Sequence, residues 1–558
     1  MKSESKLHCG RRAVGWFRLA GMALALLLVF CQPIAAATKN VQVEAAQGMI
    51  ASAHPLASEV GLKILKAGGN AVDAAVAAAF AIGVVEPNAS GLGGEGMIVI
   101  YRADTKTAVA IDYRSAAPAS AKFPKKTPTA GHAAAAIPGN VAGLTTALEK
   151  YGTMPLHRVM APAIGLAEQG FTVSPTLSGI IQDNFDRIAK NPPLAAVVCQ
   201  DGLPLEAGAT LKNPDLALSL RKIAAFGPAI FYEGELAEMM VAEMAANGGF
   251  FSKSDLASYK AVVREPVRGK YRGHELISAP PPVGGLSVIQ ILQILENFDL
   301  AKNAPTSAIN VHLMAEAMKK GFADFAAFIG DPDFEKIPVK GLLSPEYAKL
   351  RAAEIKADAI SPKIQAGEPA RYESGSTTAL CVVDRKGNVV ALTQTISSFF
   401  GASVMIGGTG IILNNEMQNF SAKGVNVMAP GKRMRTTISP TIMLKDGKAY
   451  AAMGTPGAAR IISTMAILIT NLVDHKMQIQ EAIESPRFFA RDKPKDLYVE
   501  TRLPADTLAA LERMGYALKK YKDYDLFFGG AQGIVIDPKS KKKIGGADPR
   551  RDGAVAGY

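Results

Sequence analysis

Two adjacent hydroxyl side chains, Thr377 and Thr378, stand in the stretch ESGSTTALCVVDRKGNVVALTQT, behind a Gly-Ser pair and ahead of an apolar run. A threonine hydroxyl attacks a carbonyl only when a base takes its proton. None of the seven histidines (His8, His54, His132, His157, His274, His312 and His475) is paired with another at a metal-ligand spacing. The chain also lacks HExxH, CxxC and G-x-S-x-G motifs. Zinc chemistry and histidine-assisted serine or cysteine chemistry therefore have little to rest on. One available base is the threonine's own α-amine, whose pKa of about 8 suits proton transfer near neutrality. Thr377 acquires that amine only if the bond after Ser376 is cut. The Gly375–Ser376 hinge would let this peptide distort so that the Thr377 hydroxyl attacks the preceding carbonyl. Read alone, the same residues also fit a Thr-Thr pair that merely starts a strand.

The elements around the pair bear on that choice. TALCVVD is apolar on both faces, as a central buried strand should be. RKG then supplies a three-residue hairpin loop, with Gly387 available for the left-handed position, and NVVALTQT is the return strand. If Asp384 pairs with Asn388, Thr377 falls opposite Thr395, with Cβ atoms roughly 4.5–5.5 Å apart. A loop one residue longer or shorter breaks the match. Upstream, HPLASEVGLKILKAGGNAVDAAVAAAFAIGVVEPN reads as two helices. Gly68-Gly69 ends the first, and Asn70 with Asp73 caps the second. SGLGGEGMIVIYR runs into a strand and not a helix, which argues against a dinucleotide fingerprint. The second half holds short strands, many turns and a strand–glycine loop–helix unit, AYAAMGTPGAARIISTMAILITNLVD. With no internal repeat or low-complexity linker, this order fits a layered α+β architecture.

The 558 residues, 48% of them hydrophobic, can bury a large core. Residues 1–37 read as a cleaved secretory signal, with a basic start, the apolar run LAGMALALLLVF, and small residues at Ala35 and Ala37. Losing that segment lowers the formal charge from +12 to about +8. It also leaves Cys199 and Cys381, expected as two distant free thiols. The charge is dispersed except at KSKKK (539–543), which reads as a solvated turn. No pattern supports nucleic acid as a partner, and no later segment is long and apolar enough for stable membrane insertion. No metal or cofactor is called for.

The chain resembles the γ-glutamyltranspeptidases (glutathione hydrolases), self-cleaving members of the N-terminal-nucleophile hydrolases. The resemblance rests on GGNAVDAAVA, SGLGGEGMIVIYR, IDYRSAAP, PGNVAGL, PPPVGGLSVIQILQILENFD, ESGSTTALCVVD, GIILNNEMQNFSAK, GKRMRTTISPTI, GTPGAARII and the terminal ADPRRDGAVAGY. It implies a four-layer αββα sandwich formed jointly by a large chain, residues 38–376, and a small catalytic chain, residues 377–558. By the same resemblance Thr377 is the nucleophile and new N-terminus, and Thr395 orients it. Arg114 clamps a glutamyl α-carboxylate with help from Thr436 and Thr437, which stand where the family has serines. Glu416 lies near the substrate's α-amino group. Backbone N–H groups of Gly457 and Ala458 form the oxyanion hole. The implied function is γ-glutamyl transfer from glutathione or a related donor to water, an amino acid or a peptide, in the periplasm.

Three positions depart from the family pattern. Asn419 stands where Asp usually binds the α-ammonium, Ser397 replaces an Asn, and Ala458 replaces the second Gly of the oxyanion pair. The segment between Phe420 and Arg433 is also too short for a lid, so an open site is expected. Asn419 keeps an acylase of the same fold in view, acting on glutaryl or cephalosporin-type amides, as well as a poly-γ-glutamate depolymerase. A binding protein that never matures is the non-enzymatic alternative.

Overall fold

The computed structural model describes residues 42–121, 127–365 and 376–558, and of Ser376 and Thr377 the backbone alone. The signal segment and the Gly375 half of the expected hinge lie outside the described residues.

Two seven-stranded antiparallel sheets form the centre. The first runs Ala554–Gly557, Met49–Ser52, Ser376–Val383, Val389–Ser397, Glu95–Arg102, Thr107–Tyr113, Val262–Arg264. The second runs Val43–Ala45, Lys543–Ala547, Gln532–Ile536, Lys448–Gly454, Thr441–Lys445, His274–Ser278, Val267–Tyr271.

The strand Ser376–Val383 shows why there are four layers. Strand residues alternate between faces. Leu380 and Val382 join one apolar core with the helices Pro55–Lys66 and Ala71–Val85. Cys381 and Val383 join a second core with Ile442, Met453 and the helices Gly285–Leu295 and Arg460–Val473. A strand buried on both faces must be apolar wherever it lacks a buried polar partner, as ALCVV is after Thr378, whose hydroxyl is paired. Each such Leu, Ile or Val contributes about 1.5–3 kcal/mol on burial. The order of layers is thus helix, sheet, sheet, helix, as the resemblance implied.

Local chemistry fixes the hairpin. The Asp384 carboxylate accepts from the N–H groups of Lys386, Asn388 and Ala71 and from Asn388 Nδ2. Gly387 takes φ 83°, the left-handed value the loop requires. Asn70 and Asp73 form the expected capping box, and the buried Asp73 also accepts from Thr153 N–H, Thr153 Oγ1 and Met154 N–H. The glycine-rich SGLGGEG serves close packing. A Cβ on Gly93 would lie 2.2 Å from the Ile412 carbonyl oxygen, and one on Gly94 2.4 Å from that of Thr395. Cys199 and Cys381 are free thiols. No described helix is long and apolar enough to cross a membrane.

His54 caps the helix Pro55–Lys66 through its Nδ1, which accepts the Leu56 N–H at 3.2 Å. Burial lowers its pKa from 6.5 to about 4, against an opposing pull from Asp552. The folded state therefore holds His54 neutral, while the unfolded chain protonates it below about 6.5. We predict that its contribution is complete above that pH and is lost as pH falls towards 4. His54→Asn, which keeps a capping side chain, should flatten the fall in urea midpoint across this window. An unchanged pH slope would contradict the assignment.

Candidate active site

Ser376 and Thr377 open the central strand. From Thr378↔Gln394 to Val383↔Val389 the hairpin keeps the register expected from sequence. It then shifts, and Ser376 pairs with Ser397. Thr377 therefore lies against two residues, Thr395 and Ile396, and not squarely opposite Thr395. The strict pairing gives way to a bulge. The physical cause is that Ile396 leaves the ladder: its N–H donates to the Ala89 carbonyl and its carbonyl accepts from Asn415 N–H. Thr395 Oγ1 accepts the Ser397 N–H at 2.8 Å, and Ser397 turns into the left-handed region at φ 77°. Next to the bulge, Thr378 Oγ1 donates to the buried Glu86 Oε2 at 2.6 Å. Burial pushes the Glu86 carboxyl up, with Arg551 opposing.

Arg114 lies just after the strand Thr107–Tyr113, wholly buried. Nη1 meets Glu95 Oε1, Nη2 donates to Glu416 Oε2 at 3.2 Å, and Nη2 also reaches the Met434 carbonyl at 3.3 Å. Glu95 Oε2 accepts the Ser115 N–H at 2.7 Å, and Glu95 pairs with Thr395 across the sheet. One guanidinium thus faces two buried carboxylates, so an arriving carboxylate must compete with Glu95.

Glu416 begins the short turn Glu416–Asn419. Asn419 Nδ2 donates to Glu416 Oε2 at 2.7 Å and to Ser397 Oγ at 3.2 Å. Gln418 Nε2 reaches Ser397 Oγ and Ser398 Oγ. Arg114, Glu416, Asn419, Ser397 and Thr395 therefore form one continuous polar chain. Arg114, Glu416, Ser397 and Thr395 are buried, while Gln418 and Asn419 are partly exposed. The short segment after Phe420 folds inward: Asn426 Nδ2 donates to the Asn419 carbonyl, and Asn426 Oδ1 accepts the Arg435 N–H.

The glycine loop reaches this strand from the second sheet. Gly454 abuts Ala379, two residues beyond Thr377: a Cβ added to Gly454 would lie only 3.2 Å from that of Ala379. The loop then passes through Thr455 to Ala458 into the helix Arg460–Val473. Ala458 is held at φ 52°, a left-handed strain that a glycine there would have avoided. Thr437 Oγ1 fixes the turn by donating to the Ala458 carbonyl at 2.7 Å. Among the described residues, the N–H groups of Gly457 and Ala458 have no hydrogen-bond partner. Two N–H groups so placed beside a helix start suit a negative oxygen. Thr436 Oγ1 accepts from the Ile438 N–H. Thr436 and Thr437 thus sit between the Arg114 cluster and the loop along the chain, with Thr437 already engaged by the loop.

Sequence reasoning missed Glu95 and Glu86. Their signal was available: each is an isolated acid at the edge of an otherwise apolar element, in GGEGMIVIY and AIGVVEPN.

The four-layer sandwich with paired antiparallel sheets is that of the N-terminal-nucleophile hydrolases. The Gamma-glutamyltranspeptidase family profile matches residues 57–558. The glutathione hydrolase proenzyme of Escherichia coli (strain K12) is 42% identical over 545 residues, covering 92% of this chain and 93% of that protein. The acylase ACY 1 proenzyme of Pseudomonas sp. (strain SE83) is 42% identical over 511 residues, covering 88% and 90%. The crystal structure of cephalosporin acylase from Bacillus halodurans superposes with a TM-score of 0.88 at 30% identity, over 95% of this chain and 99% of that one. Within the N-terminal-nucleophile class, this chain belongs to the γ-glutamyltranspeptidase family.

The paired carboxylates generate a prediction. Glu95→Gln keeps the side chain's shape and removes its charge, so free L-glutamate should bind about tenfold more tightly by calorimetry. Weaker or unchanged binding would mean that Glu95 does not compete for Arg114.

Proposed function

We propose that the chain is a self-processing γ-glutamyl hydrolase and transferase. In this reading the Thr377 hydroxyl attacks the Ser376 carbonyl, giving an ester as the Thr377 nitrogen leaves and takes a proton. Water then hydrolyses the ester, freeing a large chain that ends at Ser376 and a small chain that begins at Thr377. The new α-amine takes the Thr377 hydroxyl proton in each later turnover. The γ-amide carbon of glutathione or a similar donor becomes a γ-glutamyl ester of Thr377, and the leaving amine receives the proton. Water or an amine acceptor, such as an amino acid or peptide, resolves the ester.

The remaining roles are those the family resemblance implies. Thr395 orients residue 377 from the bulge. Gly457 and Ala458 stabilise the oxyanion, a type of contact whose loss costs about a hundred- to a thousandfold in rate. Glu416, with Asn419 and Ser397 on its flank, receives the substrate's ammonium, and Arg114 with Thr436 receives the carboxylate. Export through residues 1–37 to the periplasm completes the reading. The observation that carries it is the bulge that sets Thr377 against Thr395 at the start of the central strand, in a chain of this family.

A second reading has its own support. The acylase ACY 1 relative is as similar as the glutathione hydrolase. In addition, Asn419 supplies an amide in place of a charge, and Glu95 already occupies Arg114. An acylase acting on donors without the α-ammonium fits the Asn419 feature. Steady-state hydrolysis of γ-glutamyl and glutaryl p-nitroanilides decides between them. The leading reading expects the higher kcat/KM for the γ-glutamyl compound and its loss in Thr377→Ala. A higher value for the glutaryl compound would favour the acylase, and full activity in Thr377→Ala would refute both.

A further inference from the structure

Basic residues that are scattered in sequence converge at one end of the fold. The two sheets present four tight turns there, two from each. The first sheet contributes Lys106, between Glu95–Arg102 and Thr107–Tyr113, and Arg385 with Lys386 from the hairpin after Val383. The second sheet contributes Lys445 and Lys448 from the turn joining their own strands. It also contributes Lys539, Lys541 and Lys543 from the turn that reads KSKKK. Between these turns lies a cleft of about 720 Å³, within the usual range of small-ligand pockets. Its floor includes Tyr101 and Tyr450, and Tyr101 Oη donates to the Gly447 carbonyl.

The charge is largely uncompensated. Asp446 is the one carboxylate among the lining residues. Asp384 faces Lys543 from below, and Glu44 pairs with Lys542, which is outside the cleft. Asp537 spends its carboxylate on the N–H groups of Lys539 and Ser540 and on Ser540 Oγ, folding the lysine turn. Lys543 is itself buried and tied to the Ala46 carbonyl at 2.7 Å. Lys106, Arg385, Lys386, Lys445, Lys448 and Lys539 form no ion pair with the described residues. Like charges brought this close repel one another, and a multivalent anion relieves that repulsion. All but one of the cations are lysines, compact donors that meet a phosphate from any direction and lack the planar fork suited to a carboxylate. Val383 lies at the opposite end of its strand from Ser376, about 20–25 Å away, so the cleft is separate from the Thr377 site.

We propose that this cleft binds a ligand carrying two or more phosphate groups, either a free phosphorylated molecule or a phosphorylated lipid headgroup. The test uses the full chain, inorganic tripolyphosphate in a calorimeter at about 0.15 M salt, where long-range attraction is screened, and vesicles containing cardiolipin, whose headgroup carries two phosphates, in a pelleting assay. Saturable binding is expected. Lys448→Ala combined with Lys541→Ala should weaken it at least about tenfold, while Lys190→Ala combined with Lys212→Ala, next to Asn191 and Asn213, which bind the Met405 and Gly410 backbone, leaves it unchanged. Hydrolysis of the γ-glutamyl anilide should be the same in all three proteins. Pelleting that tripolyphosphate reverses identifies the headgroup as the source; tripolyphosphate binding without pelleting identifies a free ligand. Absence of both, or equal loss in the two double variants, would overturn the proposal.

Discussion

The structure depends on one constraint: the strand Ser376–Val383 cannot slide. Its hairpin end is tied by the Asp384 carboxylate to the turn and to the first N–H of the helix Ala71–Val85. Its body is buried on both faces, so a one-residue slip would turn every apolar side chain to the wrong core. Near its start, Thr378 is tied to Glu86 inside the first core. The strand is therefore fixed by the whole sandwich up to Thr378, and the register is released at residue 377 itself, where Ile396 departs to Ala89. Chemistry that needs a hydroxyl and a backbone carbonyl in fixed relation gains rigidity from such a scaffold.

The polar chain beside this strand sets what the site can accept. In the buried cluster, Glu95 and Glu416 outnumber Arg114, and the Asn419 amide donates to Glu416 without adding charge. Buried ion pairs of this kind are strong only while all partners remain, and an unpaired charge is costly. A carboxylate arriving at Arg114 would therefore have to compete with Glu95 and Glu416 for the same guanidinium.

Much of this was legible in sequence because the governing patterns are local. The buried strand, the three-residue loop, the Asn70–Asp73 box and the free cysteines all follow from neighbouring residues. The bulge was not legible, because it depends on the Ala89 carbonyl some three hundred positions away. Glu95 and Glu86 stand out in sequence as isolated acids, but their roles do not, because an acid at a strand or helix edge shows no sign of its partner until the sheets are assembled. The lysines of KSKKK looked like an isolated solvated turn. Only the stacking of two sheets brings Arg385, Lys445 and Lys106 beside them. Resemblance gives Arg114 a carboxylate-binding role as an expectation, whereas the two carboxylates beside it, Glu95 and Glu416, are visible only in three dimensions.

The central claim is that the backbone breaks after Ser376 and that the exposed amine serves the neighbouring hydroxyl. N-terminal sequencing of the purified protein, separated on a denaturing gel, tests it most directly. The account predicts two chains, the smaller beginning Thr-Thr-Ala-Leu. A single unbroken chain with full hydrolytic activity, or a small chain starting at any other residue, would contradict it.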